Sequence, residues 1–252
     1  MSTKAVFFDV DFTLIAPGPM FRGEGYQAFC ARYGIDADPA KFDGAVASAA
    51  SLLDGPDDAP YDAEIFVAYT RHIIEQMGGA GLRVDACARE IYAEWAACRH
   101  FDLYDDVPDA LEELSAAGIR VGLISNSHRC LTSFQSHFDL RHLIVCAVSS
   151  AEHGFMKPHP SIFAAALQLA DVRAEQAVMV GDSIRQDVDG ALRAGMRAVL
   201  LHRSTESHPR ASELAARNVP IIQSLRELPA AIVRREDPEN FQIRNATTPH
   251  IR

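Results

Sequence analysis

Two aspartates near the N-terminus are the first residues whose types and spacing could do chemistry. Asp9 and Asp11 follow the apolar run 6–8, in the sequence Asp-Val-Asp-Phe-Thr that ends at Thr13. Two carboxylates two residues apart after a buried strand can divide the work, one binding a metal or attacking a substrate and the other moving protons. The same pattern also fits an aspartate that caps a turn beside a solvated neighbour.

Three further polar segments occur later in the chain. Ser125 and Asn126 offer a hydroxyl and backbone N–H groups that could bind an anion, although such residues also serve as helix N-caps. Lys157 precedes a proline and could supply a cation, although an isolated lysine is usually a solvated surface residue. Asp182 and Asp187 form an acidic group that suits the hard cation Mg²⁺, and a loop acid with a helix N-cap is the alternative.

Short apolar runs that alternate with helix-period segments predict the elements that must position these residues. The predicted strands are 5–8, 119–124, 143–148, 177–180, 197–201 and 219–222. This alternation predicts an α/β fold with a Rossmann-like parallel sheet. The four polar segments fall at or just beyond strand ends, and open α/β sheets bind ligands at the carboxyl ends of their strands.

One long interval offers helical periodicity only. It spans residues 17–100, and the predicted helices in it are 20–33, 39–53, 63–77 and 84–100. We therefore predict a core domain made of residues 1–16 and 101–233, a helical insert at 17–100 over the strand ends, and a C-terminal tail at 234–252.

Composition narrows the function classes. The chain has 252 residues, of which 48% are hydrophobic and 23% charged, which is typical of a globular protein. The net charge of −10 argues against nucleic acid as a partner. The sequence has no apolar run of the roughly 18 residues that a membrane span needs. Asp9 interrupts the N-terminal apolar run before a signal-peptide core could form. We therefore expect a cytoplasmic protein without a membrane partner. Five widely spaced cysteines favour neither disulfides nor a zinc site.

Taken together and in this order, the four polar segments resemble the signature motifs of the haloacid dehalogenase-like hydrolases. The resemblance covers residues 4–203 and includes the insert, which is similar to the cap domain of that family. It implies that Asp9 is the nucleophile and that Asp11 is the acid and base. An acid at the second position marks the phosphatases and phosphotransferases of the family rather than its dehalogenases.

The resemblance also implies roles for the other motif residues and for a cofactor, Mg²⁺. These are substrate binding by Thr13, Ser125, Asn126 and Lys157; metal binding by Asp9, by Asp182 and by Asp11 through its backbone carbonyl; and support by Asp187. Phe12 stands where the family usually has glycine, which affects the turn that leads into the cap.

The function that these features predict is Mg²⁺-dependent hydrolysis of a small organic phosphomonoester through an aspartyl phosphate. A phosphomutase using the same aspartyl phosphate and a non-catalytic scaffold of the same fold are the alternatives. We expect a small-molecule substrate and a monomer or homodimer. Candidate substrate contacts in and near the insert are Arg22, Glu24, Arg71, His72, Trp95 and Arg99.

Overall fold

A computed structural model describes residues 2–53 and 56–232 of the protein. Eight strands occur in these described residues. They are β1 (Ala5–Phe8), β2 (Ile15–Pro17), β3 (Phe101–Leu103), β4 (Arg120–Ser125), β5 (Ile144–Ser149), β6 (Ala177–Gly181), β7 (Arg197–Leu201) and β8 (Ile221–Ile222). The predicted tail at 234–252 lies outside the described residues.

Six of these strands form one parallel sheet in the order β5-β4-β1-β6-β7-β8. The predicted Rossmann-like α/β fold is therefore confirmed, and the six predicted strands end within one or two residues of the observed ones. Strands β1 and β6 are buried at every position because helices cover both faces of the sheet. Successive residues of β1 enter opposite apolar layers: Val6 and Phe8 face one, Ala5 and Phe7 the other.

Helices fill the connections between the strands. Those in the described residues are α1 (Gly23–Arg32), α2 (Phe42–Ala49), α3 (Ala63–Gln76), α4 (Val84–Trp95), α5 (Val107–Ala116), α6 (Leu131–His137), α7 (Ser150–His153), α8 (Pro160–Leu169), α9 (Gly190–Arg193), α10 (Ala211–Ala216) and α11 (Leu228–Ile232). None of the helices in the described part of the chain combines the length and the apolar character needed to cross a bilayer.

The helical insert comprises α1 to α4 and joins the rest of the chain through a pair of short strands. Strand β2 pairs with β3 in antiparallel fashion, with Ile15 opposite Leu103 and Pro17 opposite Phe101. The sequence did not predict these strands, because three residues are too few to establish a period. Strand β2 crosses the predicted boundary of the insert at residues 16/17, and β3 begins directly after the predicted boundary at 100/101.

The predicted helix at 84–100 is too long, because α4 ends at Trp95 and a separate 3₁₀ turn covers Cys98–His100. The physical reason is a long-range bond. The carbonyl oxygen of Trp95 accepts a hydrogen bond from Arg129 Nη2 at 2.7 Å, a contact that local periodicity does not encode.

A second set of contacts joins the insert to the core. The Asp57 carboxylate pairs with Arg185 at 2.5 Å and with Arg193. Nearby, the backbone N–H of Tyr61 donates to the carbonyl oxygen of Gly154 at 2.8 Å. The insert therefore contacts the core at Asp57 and Tyr61 as well as through the β2–β3 pair and the Trp95–Arg129 bond.

Candidate active site

Three predicted site residues lie at the carboxyl edge of neighbouring strands. Asp9 directly follows β1, and its backbone N–H donates to the carbonyl oxygen of Val180 in β6 at 2.9 Å. Ser125 is the last residue of β4, and Asp182 directly follows β6. Because β4, β1 and β6 are adjacent and parallel, these three residues are brought to one edge of the sheet.

Lys157 reaches this edge from the segment after α7. Its Nζ donates to Asp9 Oδ1 and to Asp187 Oδ1, both at 2.6 Å, and its side chain is only 1% exposed. Burial alone would lower the pKa of Lys157, but the charges of Asp187 and Asp9 outweigh it and raise that pKa. The lysine is therefore held as a buried cation rather than as the solvated surface residue that an isolated lysine usually is.

Three carboxylates surround this cation. Oxygens of Asp9, Asp182 and Asp187 all lie within 4.8 Å of one another, with Asp182 the most exposed. Burial raises the pKa of Asp9 and raises that of Asp187 to about 6, although Lys157 opposes both shifts. Desolvation, and then the like charges of Asp9 and Asp187, hold the pKa of Asp182 well above its usual range.

The charge and chemistry of this group fit a divalent cation. One lysine against three carboxylates leaves two negative charges in excess, in a set of donors made only of oxygen. Hard cations such as Mg²⁺ prefer such oxygen donors. The predicted ligands Asp9 and Asp182 belong to the group, whereas the third carboxylate is that of Asp187 and the Asp11 side chain lies outside it.

Two local features place Asp187. It lies in a π-helical turn, Ile184–Asp189, and its Oδ2 accepts a hydrogen bond from the backbone N–H of Ser183 at 3.0 Å. Gly181 makes room for the carboxylate, since a Cβ there would lie 2.2 Å from Asp187 Oδ2.

The end of β4 supplies the Ser125 hydroxyl, and the next residue supplies the Asn126 amide. Ser125 is buried, and its Oγ has no hydrogen-bond partner within the described residues. The Asn126 amide donates to the carbonyl oxygen of Lys157 at 2.9 Å and accepts from the Lys157 backbone N–H at 2.7 Å. Asn126 thus fixes the backbone of the lysine, which makes it a support for the predicted phosphate site.

The turn after Asp11 has the geometry that glycine favours. Phe12 has a φ of +63°, in the left-handed region where side chains are disfavoured. The residue is 46% exposed, and the centre of its ring lies 6.2 Å from that of Trp95. The next residue, Thr13, is fully buried, and its Oγ1 donates to Asp182 Oδ1 at 3.4 Å.

The sequence did not reveal a partner for Asp11. Arg129 Nη1 donates to Asp11 Oδ1 at 2.9 Å and to Oδ2 at 3.0 Å, and the arginine side chain is fully buried. The only local signal is that Arg129 follows Ser125 by four residues. This spacing alone does not identify a partner 118 residues earlier in the chain.

Four of the six candidate substrate contacts have other partners within the insert. Arg71, His72 and Arg99 each bond another side chain of the insert. Trp95 packs against Phe21, with ring centroids 4.5 Å apart. These contacts account for the four side chains without a substrate.

The chain is similar to known proteins over most of its length. The model of the haloacid dehalogenase-like hydrolases matches residues 3–195. The N-acylneuraminate-9-phosphatase of Rattus norvegicus is 31% identical over 247 residues, which cover 91% of this chain and 93% of that protein. The haloacid dehalogenase-like hydrolase domain-containing protein 3 of Xenopus laevis is 32% identical over 122 residues. That match covers 48% of this chain and spans half the length of the frog protein.

A solved structure has the same architecture. The 2-haloacid dehalogenase of Pseudomonas syringae pv. Tomato DC3000 superimposes with a TM-score of 0.59 at 25% sequence identity. The superposition covers 91% of this chain and 98% of that one.

Proposed function

Because this chain belongs to the haloacid dehalogenase-like hydrolases, we propose that it is a Mg²⁺-dependent phosphatase that hydrolyses a small organic phosphomonoester. The observation that carries the proposal is the meeting of three carboxylates, those of Asp9, Asp182 and Asp187, around the buried cation of Lys157. Likeness to a phosphatase over nearly the whole chain supports the same conclusion. The enzyme is a hydrolase by family, and the phosphoester substrate is our proposal.

Asp9 is the proposed nucleophile. Its carboxylate attacks phosphorus, the ester P–O bond breaks, and the leaving alkoxide takes a proton from Asp11. Water then attacks the phosphorus of the aspartyl phosphate while Asp11 accepts the proton of that water. The Asp9 carboxylate leaves, and inorganic phosphate is released. The two steps return both aspartates to their starting forms.

Lys157 and Ser125 are the proposed phosphoryl-binding groups. A carboxylate is a weak nucleophile and repels a phosphate dianion, so the reaction depends on alignment and on neutralised charge. The buried ammonium of Lys157 lies 2.6 Å from Oδ1 of Asp9, the carboxylate that is proposed to attack phosphorus. The unpartnered Ser125 hydroxyl lies at the same sheet edge and offers a donor for a phosphoryl oxygen.

The metal ligands we propose are the carboxylates of Asp9 and Asp182 and the backbone carbonyl of Asp11. Mg²⁺ bound there would supply charge that offsets the repulsion between Asp9 and the phosphate. Asp187 supports the site by holding Lys157 in place.

Three alternatives make different predictions. A dehalogenase, as in the Pseudomonas syringae relative, would release halide from a 2-haloacid, but the acid at Asp11 favours phosphoryl chemistry. A phosphomutase would keep the aspartyl phosphate and hydrolyse it slowly. A scaffold would have no need for Lys157 to be buried between two carboxylates at a strand edge.

A phosphate-release screen over phosphomonoesters, including phosphorylated sugar acids, tests the proposal. We expect turnover with Mg²⁺, its loss in EDTA, its return when Mg²⁺ is added, and background activity in Asp9→Asn. Asp109→Asn, which removes an exposed acid in α5, is the matched control and should behave like the wild type. Full activity in EDTA, or in Asp9→Asn, would overturn the proposal.

A further inference from the structure

Arg129 is a buried cation whose counter-charge is a residue of the proposed mechanism. Its Nη1 donates to both oxygens of Asp11, at 2.9 and 3.0 Å, and its side chain is fully buried whereas that of Asp11 is 16% exposed. A buried guanidinium that loses its partner is costly, so the position of the arginine and that of the carboxylate depend on each other.

Two further contacts fix the guanidinium from the opposite side. Nη2 donates to the carbonyl oxygen of Trp95 at 2.7 Å, and the guanidinium carbon lies 4.5 Å from the ring centre of Phe101. Trp95 ends α4 and Phe101 begins β3. The arginine is thus held by the insert and by its connecting strand, and it contacts Asp11 from this fixed position.

This arrangement sets the direction of the Asp11 carboxyl group. With both oxygens bonded to one nitrogen, the group is held facing Arg129. Each oxygen keeps a further lone pair for a leaving group or a water molecule. An acid and base must lie within hydrogen-bond reach of the atom that it serves, and holding the carboxyl group in one direction prevents it from swinging out of that reach.

We propose that Arg129 is a positioning residue for Asp11, aligning its carboxyl group for both proton transfers of the reaction. The inference rests on the proposed function, in which Asp11 is the acid and base. It extends that function to a residue outside the four motifs. Arg129 acts through Asp11 and does not itself contact the phosphate.

The test uses p-nitrophenyl phosphate, whose acidic phenol leaves with little help from an acid. Arg129→Met removes both hydrogen bonds to Asp11 and the one to Trp95, and it keeps an apolar side chain beside Phe101. We expect a burst of about one phenol per active site in a rapid-quench measurement, followed by turnover that is slower by about 10- to 100-fold. A merely structural defect would reduce the burst and the turnover together.

A double-mutant cycle shows whether Arg129 acts through Asp11. Asp11→Asn alone should slow turnover by about 100- to 10,000-fold after the burst. Adding Arg129→Met to Asp11→Asn should change turnover by no more than about twofold, the usual scatter of such cycles. Arg129→Lys keeps the charge and one donor for Asp11, and it should restore part of the turnover lost in Arg129→Met.

Arg203→Met provides the matched control, because Arg203 forms a similar pair with buried Asp106 and lies over the ring of Tyr104 at 3.7 Å. This variant should lower the thermal midpoint, and any change in the phenol burst should be matched by an equal change in turnover. Should Arg129→Met fail to fold, the comparison passes to Arg129→Lys in the wild-type and Asp11→Asn backgrounds.

Unchanged turnover in a folded Arg129 variant, or losses that multiply in the double variant, would overturn the inference while leaving the phosphatase intact. A wild-type enzyme that releases no phosphate with Mg²⁺ would instead overturn the proposed function, before any Arg129 variant is made.

Discussion

The sheet edge and the helical insert both place carboxylates beside cations, yet the acids respond in opposite directions. On the insert, hydrogen bonds from Arg89 hold the pKa of Glu64 and that of Asp85 below their usual values. At the sheet edge, the pKa of Asp187 is raised to about 6 even though Lys157 lies 2.6 Å away. At the sheet edge burial outweighs the nearest opposite charge, whereas on the exposed insert the hydrogen bonds from Arg89 set the direction of the pKa shift.

Exposure explains why the two regions differ. Arg89 and its partners Glu64 and Asp85 are about half exposed, so water screens their attraction and they stabilise the fold little. Lys157 and Asp187 are 1% exposed, so their charges act on each other almost without water. Buried charge is therefore concentrated where a charged ligand is proposed to bind.

The largest effect should come from crowding the sheet edge. In Gly181→Ala the new Cβ would overlap the Asp187 carboxylate, which would displace it from Lys157. We expect phosphatase activity to fall to near background and stability to fall by about 1–3 kcal/mol, measured by initial rates and urea unfolding. Gly44→Ala is the control, because a Cβ on this exposed helical glycine meets nothing within 4 Å and alanine favours helices. Normal activity in Gly181→Ala would show that Asp187 need not keep its position.

An intermediate effect should appear in the pH dependence of stability. For Asp187 the folded-state pKa of about 6 lies above the ordinary value of 3.8, so the metal-free native state binds this proton more tightly than the unfolded chain does. Stability should therefore fall as pH rises through this interval and stay low above it. Mg²⁺ offsets the excess negative charge, so it should raise the thermal midpoint more at pH 8 than at pH 5.

Differential scanning fluorimetry with Mg²⁺ or EDTA at the two pH values checks this. Asp182→Asn removes one of the three acids and should shrink the Mg²⁺-induced shift at pH 8. A shift of equal size at both pH values, or one that Asp182→Asn leaves unchanged, would contradict a metal site at this group.

The smallest effect should come from the insert. Arg89→Gln removes the bonds to Glu64 and Asp85 in an exposed region. We expect an unchanged phosphatase rate and a thermal midpoint close to that of the wild type, with any difference vanishing at high salt because exposed pairs are screened. A large loss of stability that persists at high salt would remove the contrast between the two regions.

The parts of the fold that sequence could predict are those encoded by local patterns. Strand β1 and Asp9 were predictable because an apolar run followed by acids is a short-range signal, and parallel pairing then brings strand ends together. The family resemblance, rather than a local pattern, marked the Phe12 position as one that usually holds glycine, and its φ of +63° gives the reason. The roles of the motif residues remain proposals that the experiments above address.

The unpredicted features depend on contacts between residues far apart in the chain. Arg129 meets Asp11 across 118 positions, and Asp57 meets Arg185 across 128. The pairing of β2 with β3 joins segments on either side of the whole insert. Such contacts form only once the sheet and the insert have packed together. Periodicity along the chain therefore does not predict them.

The β2–β3 pair limits the ways in which the insert could move against the sheet. Two independent linkers would allow it to translate and to rotate about several axes. Here the entering and leaving strands are hydrogen-bonded to each other, from Ile15–Leu103 to Pro17–Phe101, so they must bend together as one ribbon. If the contacts of Asp57, Tyr61, Tyr92 and Trp95 with the core release, the remaining freedom approximates a single angle between that ribbon and the sheet. One coordinate would then describe how far the insert stands from the strand ends.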